Sequence, residues 1–218
     1  MSDGALTADL SRRFGGLDRL YGEGAYAYLN TQVHAMVVGV GGVGSWAAEA
    51  LARSGVGRIT LVDLDHVAES NINRQIQACD ATLGQEKIKA LTNHIHSYFP
   101  SCEVTLVDAF LEPENAQDLL TRFAQSNAAY KVLLDCCDNV RAKVAMVNWA
   151  KRLGISVVLS GSAGGKSKPW LVQPADLRDT TNDPLLAKVR YTLRREHGYA
   201  KDPKKKLGVP VFYSAEQV

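Results

Sequence analysis

Three groups of residues in this chain have types and spacings suited to chemistry on a nucleotide. The first is Gly39-Val40-Gly41-Gly42-Val43-Gly44, set between the apolar run His34–Val40 and the alanine-rich stretch Ser45–Ser54. Glycines between a strand and a helix permit a tight turn and let backbone N–H groups approach a phosphate. The helix N-terminus adds partial positive charge. Asp63 ends the next apolar run, about twenty residues past the loop, where a carboxylate can accept hydrogen bonds from ribose hydroxyls. Gly39, Gly41, Gly42, Gly44 and Asp63 are therefore nucleotide-binding candidates. Such a loop serves NAD and ATP equally well.

The second group, Asn71-Ile72-Asn73-Arg74-Gln75, lies just beyond the nucleotide strand. The third joins Lys87, at a helix start, to Asp135-Cys136-Cys137-Asp138-Asn139, which ends another strand at the same edge. An isolated Arg74 reads as a surface arginine. Together these segments bring cations and carboxylates to one crevice. Hydride transfer needs neither a second set of cations at a polyphosphate nor a carboxylate suited to Mg²⁺. Nucleotidyl transfer needs both, to hold the leaving pyrophosphate and to neutralise oxygens during displacement.

The elements that position these groups alternate between strand and helix. Strands are expected at His34–Val40, Arg58–Asp65, Cys102–Phe110, Tyr130–Cys137 and Ile155–Ser162. Helices are expected at Ser45–Ser54, Gln85–Phe99, Pro113–Ala124 and Arg141–Leu153, closed by Gly55, Pro100 or Gly154 where those follow. The pattern predicts an α/β, Rossmann-like, doubly wound and mainly parallel sheet. After Gly165 the rhythm changes. Lys166–Pro184 reads as a polar loop, Leu185–His197 as a helix, Ala200–Gly208 as a basic turn, and Val209–Val218 as a trailing strand with nothing to cover it. The expected organisation is an adenylation domain over residues 1–165 with an N-terminal helical arm, then a loop, helix and strand extension of the same domain over residues 166–218. The bare last strand suggests truncation or a missing tail.

The 218 residues hold 46 % hydrophobic side chains, ordinary for a globular protein, and a net charge of +2, so polyanion binding would need a local basic patch. The N-terminus does not read as a signal peptide, and no apolar run approaches a membrane span. Cys79, Cys102, Cys136 and Cys137 lack C-x-x-C spacing and read as reduced, buried thiols, which implies a cytoplasmic location. A tail after residue 218 could alter membrane association. His34, His66, His94, His96 and His197 show no metal spacing and receive no catalytic role; His94 and His96, two apart on a helix, do not share a face. Trp46 is expected to pack near the glycine loop.

Gly-x-Gly-Gly-x-Gly, "DLD", "NINRQ", the lysine of "GQEKIKA" and "DCCDN" together resemble the ThiF/MoeB family of ubiquitin-activating-like adenylating enzymes, over Arg13 to about Gly165. The resemblance implies ATP-dependent adenylation of a carboxylate by a homodimer. It implies that Gly42 backs the triphosphate, Asp63 holds the ribose, Asn71, Arg74 and Lys87 hold phosphates, and Asp138 binds Mg²⁺. Asp135 then reads as a structural strand-end acid. The family sends an N-terminal arginine into the partner's site. Here "RRFGGLDRLYG" departs from the usual R-Y-x-R, which leaves Arg13 and Arg19 as catalytic candidates beside Asp138, Arg74 and Lys87. A monovalent cation is also possible.

Within the family, members that pass the activated acyl group to a cysteine keep that cysteine, and often zinc ligands, late in the chain. No cysteine follows Cys137 here. "RFGGLDRLYGEGA", "NRQI", "GSAGG", "DPLLAKVR" and "KLGVPVFYSAE" resemble the branch that cyclises threonylcarbamoyladenosine in tRNA. That resemblance implies adenylation of the modified base's carboxylate, then ring closure with loss of AMP. Lys188, Arg190, Arg194, Arg195, Lys201, Lys204, Lys205 and Lys206 crowd a segment with few acids. They read either as a solvated face or as tRNA phosphate contacts. Tyr191 and Tyr199 are candidates for stacking on unpaired bases. Expected partners are a second copy, tRNA and cysteine-desulfurase or sulfur-relay proteins, but not DNA. The alternatives are adenylation of a ubiquitin-like sulfur carrier's C-terminus, and a nucleotide-binding partner without turnover.

Overall fold

A computed structural model describes residues 9–202 and 204–217. The first eight residues of the expected N-terminal arm and Pro203 of the basic turn lie outside them. Seven strands form one sheet: β1 (Val33–Val38), β2 (Arg58–Val62), β3 (Glu103–Val107), β4 (Tyr130–Asp135), β5 (Ser156–Ser160), β6 (Val172–Asp176) and β7 (Pro210–Ser214). Their spatial order is β3-β2-β1-β4-β5-β7-β6. All neighbours pair in parallel except β6, which runs antiparallel to β7. The winding reverses between β1 and β4. In an open α/β sheet, the crevice at such a reversal, outside the strands' carboxyl ends, is where ligands bind.

Eight α-helices accompany the sheet among the described residues: α1 (Leu10–Phe14), α2 (Gly16–Tyr21), α3 (Ala25–Gln32), α4 (Gly44–Arg53), α5 (Lys87–Tyr98), α6 (Ala116–Ala124), α7 (Val140–Leu153) and α8 (Pro184–Glu196). Side chains alternate across each strand, so β1 feeds two cores. Ala35 and Val37 join Ile59 and Leu61 under Ala48 and Ala52 of α4 and Ile88, Leu91 and Ile95 of α5. Met36 and Val38 join Leu133, Leu159, Val211 and Tyr213 under α6, α7 and α8.

Caps decide where the helices that flank the crevice begin and end. Asn139 Oδ1 accepts the Arg141 and Ala142 N–H groups at the start of α7, and Gly154 ends that helix in the left-handed region, at φ 68°. Asp183 caps α8 through the Leu186 N–H, and Pro184 occupies the first turn. The expected helix Pro113–Ala124 starts too early. Pro113 belongs to a turn in which Asn115 Oδ1 takes the Glu112 N–H, and the helix opens only at Ala116.

The C-terminal part differs most from the sequence expectation. Val172–Asp176, expected as loop, is an edge strand opposite β7, with Pro174 facing Phe212. A proline fits there because an edge strand has one side free of ladder bonds. The expected trailing strand from Val209 is not bare: residues 210–214 form β7, paired on both sides between β5 and β6, and Val218, the last residue of that expectation, lies outside the described residues. The segment after residue 165 thus supplies two strands of the same sheet. None of the described helices is long and apolar enough to cross a membrane.

Candidate functional site

A cavity of about 830 Å³ opens over the carboxyl ends of β1, β2, β4 and β5. Gly39, Gly41, Gly42, Asp63, Arg74, Lys87 and Asp138 all line it, so five of the sequence segments meet in one place. The glycine loop is shaped by three separate constraints. Gly39 has φ 81°, a conformation L side chains rarely adopt, and a Cβ there would meet the Cys137 backbone at 3.2 Å. A Cβ on Gly42 would press on the Arg74 side chain at 3.2 Å. Gly44 does not line the cavity. A Cβ there would fall 1.8 Å from the Gly39 carbonyl oxygen, so this glycine serves the close approach of α4 to the loop rather than the ligand.

Asp63 is buried. Its Oδ2 accepts the Val40 N–H at 2.7 Å and its Oδ1 the Asp65 N–H at 2.9 Å. These bonds curl the chain away from the ladder, which is why β2 ends at Val62 rather than at the expected Asp65. Each oxygen keeps a lone pair for a ribose hydroxyl. Lys87, the first residue of α5, is buried with its Nζ 2.7 Å from Asp65 Oδ2. Arg74 is exposed and folds back on Ser70 O and Asn73 Oδ1. Trp46, on α4, is half exposed and donates its indole N–H to the Arg74 carbonyl at 2.9 Å, tying the arginine's backbone to the glycine-loop helix.

Asn71 departs from its expected role. It does not line the cavity, and its Oδ1 accepts the Ala68 N–H, so it shapes the turn that carries Arg74. The neighbour that does reach the cavity is Gln75, a buried residue quoted with the motif but given no role. Buried Gln77 donates to the Val40 carbonyl of the glycine loop at 3.0 Å. The signal for both was the run "NRQIQ" itself.

At the β4 end, the two acids of "DCCDN" separate as expected. Asp135 is fully buried and pairs at 3.0 Å with Lys143 of α7, itself fully buried; Lys143 also donates to the Ser160 carbonyl at 2.9 Å. Burial pushes the Asp135 carboxyl up, and Lys143 opposes that shift. Asp138 is exposed to the cavity, and the ion pairs at this edge use Asp65 and Asp135 instead. Burial holds Cys136 up at about 12 and raises Cys137 as well, so both are protonated thiols of low reactivity. All four cysteines are free.

The lining holds the acids Asp63, Asp65, Glu112 and Asp138 against the cations Arg74 and Lys87. A polyphosphate therefore needs further positive charge. Among the described residues no group of three His, Cys, Asp or Glu side chains is placed to hold a metal alone. Among the described residues, Asp138 and Glu112 are the lining carboxylates in neither an ion pair nor a side-chain hydrogen bond. Asp138, next to the Cys137 backbone that Gly39 approaches, fits Mg²⁺, which takes one or two carboxylates together with substrate phosphates and water.

Neither Arg13 nor Arg19 lines the cavity. Arg13 donates to the Tyr98 carbonyl at the last turn of α5, about 16 Å along that helix from Lys87. In its own chain it is remote from the site. Two of the C-terminal cations, Arg194 and Arg195, are remote too. α8 starts beside Gly161 and Ser162, so Arg194 and Arg195 in its last turn lie about 17 Å away. Lys188, Arg195, Lys201, Lys204, Lys205 and Lys206 are exposed. Arg190 is not available to a phosphate, because its Nη1 donates to the Leu177 and Thr180 carbonyls and to Thr180 Oγ1, fastening α8 to the turn after β6. Tyr199 is buried under Lys151 and cannot stack on a base; Tyr191 is exposed beside Arg195.

A parallel sheet with a glycine loop, a strand-end acid and a cation-and-carboxylate cluster in one cavity defines a nucleotide-binding domain of the adenylating class. The chain belongs to the ThiF family, whose model matches residues 14–188. It is 42 % identical over 94 % of its length to the tRNA threonylcarbamoyladenosine dehydratase of Haemophilus influenzae, covering 76 % of that protein. It is 30 % identical over 59 % of its length to a molybdopterin-synthase adenylyltransferase of the same species, covering 49 % of it. In structure it matches the crystal structure of Escherichia coli tRNA N6-threonylcarbamoyladenosine dehydratase, TcdA, in complex with ATP, with a TM-score of 0.89 and 42 % identity, covering 97 % of this chain and 84 % of that one.

Proposed function

We propose that this chain is an ATP-dependent tRNA threonylcarbamoyladenosine dehydratase. The observation that carries the reading is the single cavity in which the glycine loop, Asp63, Arg74, Lys87 and Asp138 meet. The likeness to dehydratases across nearly the whole chain, against a shorter and weaker likeness to a carrier adenylyltransferase, selects the acceptor.

The site's residues divide the work. Asp63 holds the ribose, and the loop N–H groups with Arg74 and Lys87 hold the phosphates. The side-chain carboxylate of the modified base attacks the α-phosphorus. The bond from that phosphorus to the bridging oxygen breaks, and pyrophosphate leaves. The product is a mixed anhydride between the acyl group and AMP. A neighbouring nucleophile of the same modification attacks the acyl carbon, closes the ring and expels AMP, so the base loses one water overall. No protein thiol is needed, in keeping with the protonated state of Cys136 and Cys137. Asp138 is the residue that would hold Mg²⁺, which would supply charge neutralisation.

We also propose a cytoplasmic homodimer in which Arg13 or Arg19 serves the partner's site. Mixing an Arg74→Ala subunit with an Arg13→Ala or Arg19→Ala subunit should restore about a quarter of activity, since statistical mixed dimers each keep one intact site. Activity that never exceeds either parent, for both arginines, rejects the shared site. The C-terminal cations Lys188, Arg194, Arg195, Lys204, Lys205 and Lys206, of which Arg194 is half-buried and the others exposed, are proposed tRNA contacts.

The test of the main reading is the nucleoside content of bulk tRNA before and after incubation with the protein and ATP. Conversion of threonylcarbamoyladenosine to a product lighter by one water, with release of pyrophosphate and AMP, is expected. No conversion, with pyrophosphate release only in the presence of a diglycine-ended carrier, would replace this reading with carrier adenylation.

A further inference from the structure

The cavity's lining changes character along its length. Asp63, Phe110–Glu112 and Lys87, which pairs with Asp65, occupy the end near β2 and β3, and the loop, Arg74 and Asp138 the middle. At the β5 end the lining is Ser160–Gly164 and Leu185 of α8, with no charged residue among them. These residues come from "GSAGG" and "DPLLAKVR", two motifs to which the nucleotide chemistry assigns nothing.

The strand-end strip is clamped on both sides of a bare centre. Lys143 donates to the Ser160 carbonyl at 2.9 Å, and Gly161 N–H reaches Phe212 O of β7 at 2.8 Å. Buried Asp183 accepts the Ser162 N–H at 2.8 Å and caps α8 with its other oxygen. A Cβ on Gly161 would stand 2.4 Å from Asp183 Oδ2, so the clamp needs glycine there. Beyond the strip, Lys166 Nζ donates to Asn182 O at 2.9 Å, and Glu216 accepts the Ser167 and Lys168 N–H groups. Between these anchors, the Ala163 and Gly164 N–H groups donate to no group among the described residues, although both residues line the cavity. A Cβ placed on Gly164 meets nothing within 4 Å.

We propose that Ala163, Gly164 and Leu185 form the acceptor subsite, which takes the carboxylate-bearing side chain of the modified adenosine, with Asp183 as its positioning residue. The inference rests on the dehydratase reading. The nucleophile of an in-line displacement enters from the side away from the leaving pyrophosphate. The ribose end is occupied through Asp63, which leaves the β5 end. Its chemistry suits the task. Neutral backbone N–H donors orient a carboxylate, whereas an ammonium or guanidinium would pair with it and blunt its nucleophilicity. A donor-lined glycine surface also admits the bulk of a modified base.

The experiment fills the bare centre. Gly164→Leu adds a side chain where there is room, and Leu185→Phe narrows the same end from α8. Both should keep the wild-type melting temperature and an ATP Kd within about twofold by calorimetry, while the KM for tRNA rises about tenfold or more. Asp183→Asn loses one of its two tethers. It should raise the KM for tRNA several-fold with the ATP Kd unmoved, whereas a purely structural cap would lower only the melting temperature. Wild-type protein is assayed on the same tRNA in parallel. If it converts the nucleoside while Gly164→Leu and Leu185→Phe show unchanged tRNA kinetics, the subsite is overturned and the dehydratase reading stands. Equal loss of ATP affinity in both variants also overturns it, since that end then belongs to the nucleotide. If the wild type converts nothing, the dehydratase reading falls and takes the subsite with it.

Discussion

The two ends of the cavity are built in opposite ways. The nucleotide end is local: strand, glycine loop, helix, strand and acid follow one another from β1 to Asp63, and one bond, Val40 N–H to Asp63 Oδ2, closes the unit. The acceptor end is assembled from distant segments. Asp183 reaches back to Ser162, Glu216 to Ser167 and Lys168, and β7 to Gly161. The nucleotide end also carries the charge, while the β5 lining carries none. The contrast is that of a general device for ATP and a particular one for the acceptor. A reaction shared by many folds' worth of substrates needs only the second to vary.

The largest expected effect lies where the two ends meet. Asp138→Ala should reduce pyrophosphate release on the order of 10³-fold, comparable to removal of a preorganised charge-stabilising group. It should leave the melting curve unchanged, because Asp138 is exposed and outside the ion pairs at this edge. Full turnover by this variant would break the comparison, since the middle of the cavity would then contribute no charge to the reaction.

Next comes the buried joint beneath both ends. Lys143 and Asp135 are each fully enclosed, and removing one partner leaves an uncompensated charge, which costs about 3–5 kcal/mol. Lys143→Met should therefore melt far below wild type in urea. The double variant Asp135→Asn/Lys143→Met removes both charges and should regain most of that loss. A single variant as stable as wild type would show that the pair holds nothing together.

A smaller effect is expected from the C-terminal cations. Replacing Arg194, Arg195, Lys204, Lys205 and Lys206 with alanine should raise the KM for tRNA and flatten its salt dependence by about one unit of slope per lost phosphate contact. ATP affinity should not move. Arg190→Ala is the contrasting control: three lost hydrogen bonds should lower stability without changing the salt slope. Parallel salt curves for wild type and the five-fold variant would remove this surface from tRNA binding.

The smallest effect is a pH dependence far from either end. Burial, with help from the Arg58 and Lys131 cations, lowers His34 from 6.5 to about 4. Its folded value lies below the unfolded one, so the unfolded chain takes up the proton first as pH falls. Stability from this site is full above 6.5 and declines as pH falls towards 4. His34→Gln should flatten that part of a melting-temperature profile. An unchanged slope would mean that another group sets it.

Legibility in the sequence follows the same division. The glycine loop, Asp63, Arg74, Lys87 and Asp138 were readable because turn chemistry, strand period and helix start act over short spans. β6 was not, because Val172–Asp176 is polar, contains Pro174, and becomes a strand only by pairing with β7. Lys143 looked like one more helix cation until its helix turned it inward onto Asp135. Arg190 counted as a free charge because its three acceptors lie in a turn that no local pattern joins to it. Asn71 was assigned to a phosphate by motif, while its oxygen closes its own turn. Tertiary pairing decided the first three, and pairing between separate elements leaves no mark in a short window; the Asn71 bond is local, three residues back to Ala68.

The place of β7 has a consequence for how the chain comes to exist. Ribosomes deliver residues in order, and the glycine loop, α4 and β2 emerge early and can close on one another at once. β5 emerges with one neighbour, β4, and an open parallel edge on its other side. That edge stays bare through the synthesis of β6 and α8, until residues 210–214 slide in between β5 and β6. A nascent chain can therefore grip ATP before it has anywhere to put an acceptor. For that interval β5 presents an unpaired strand edge of the kind that can template pairing with another chain.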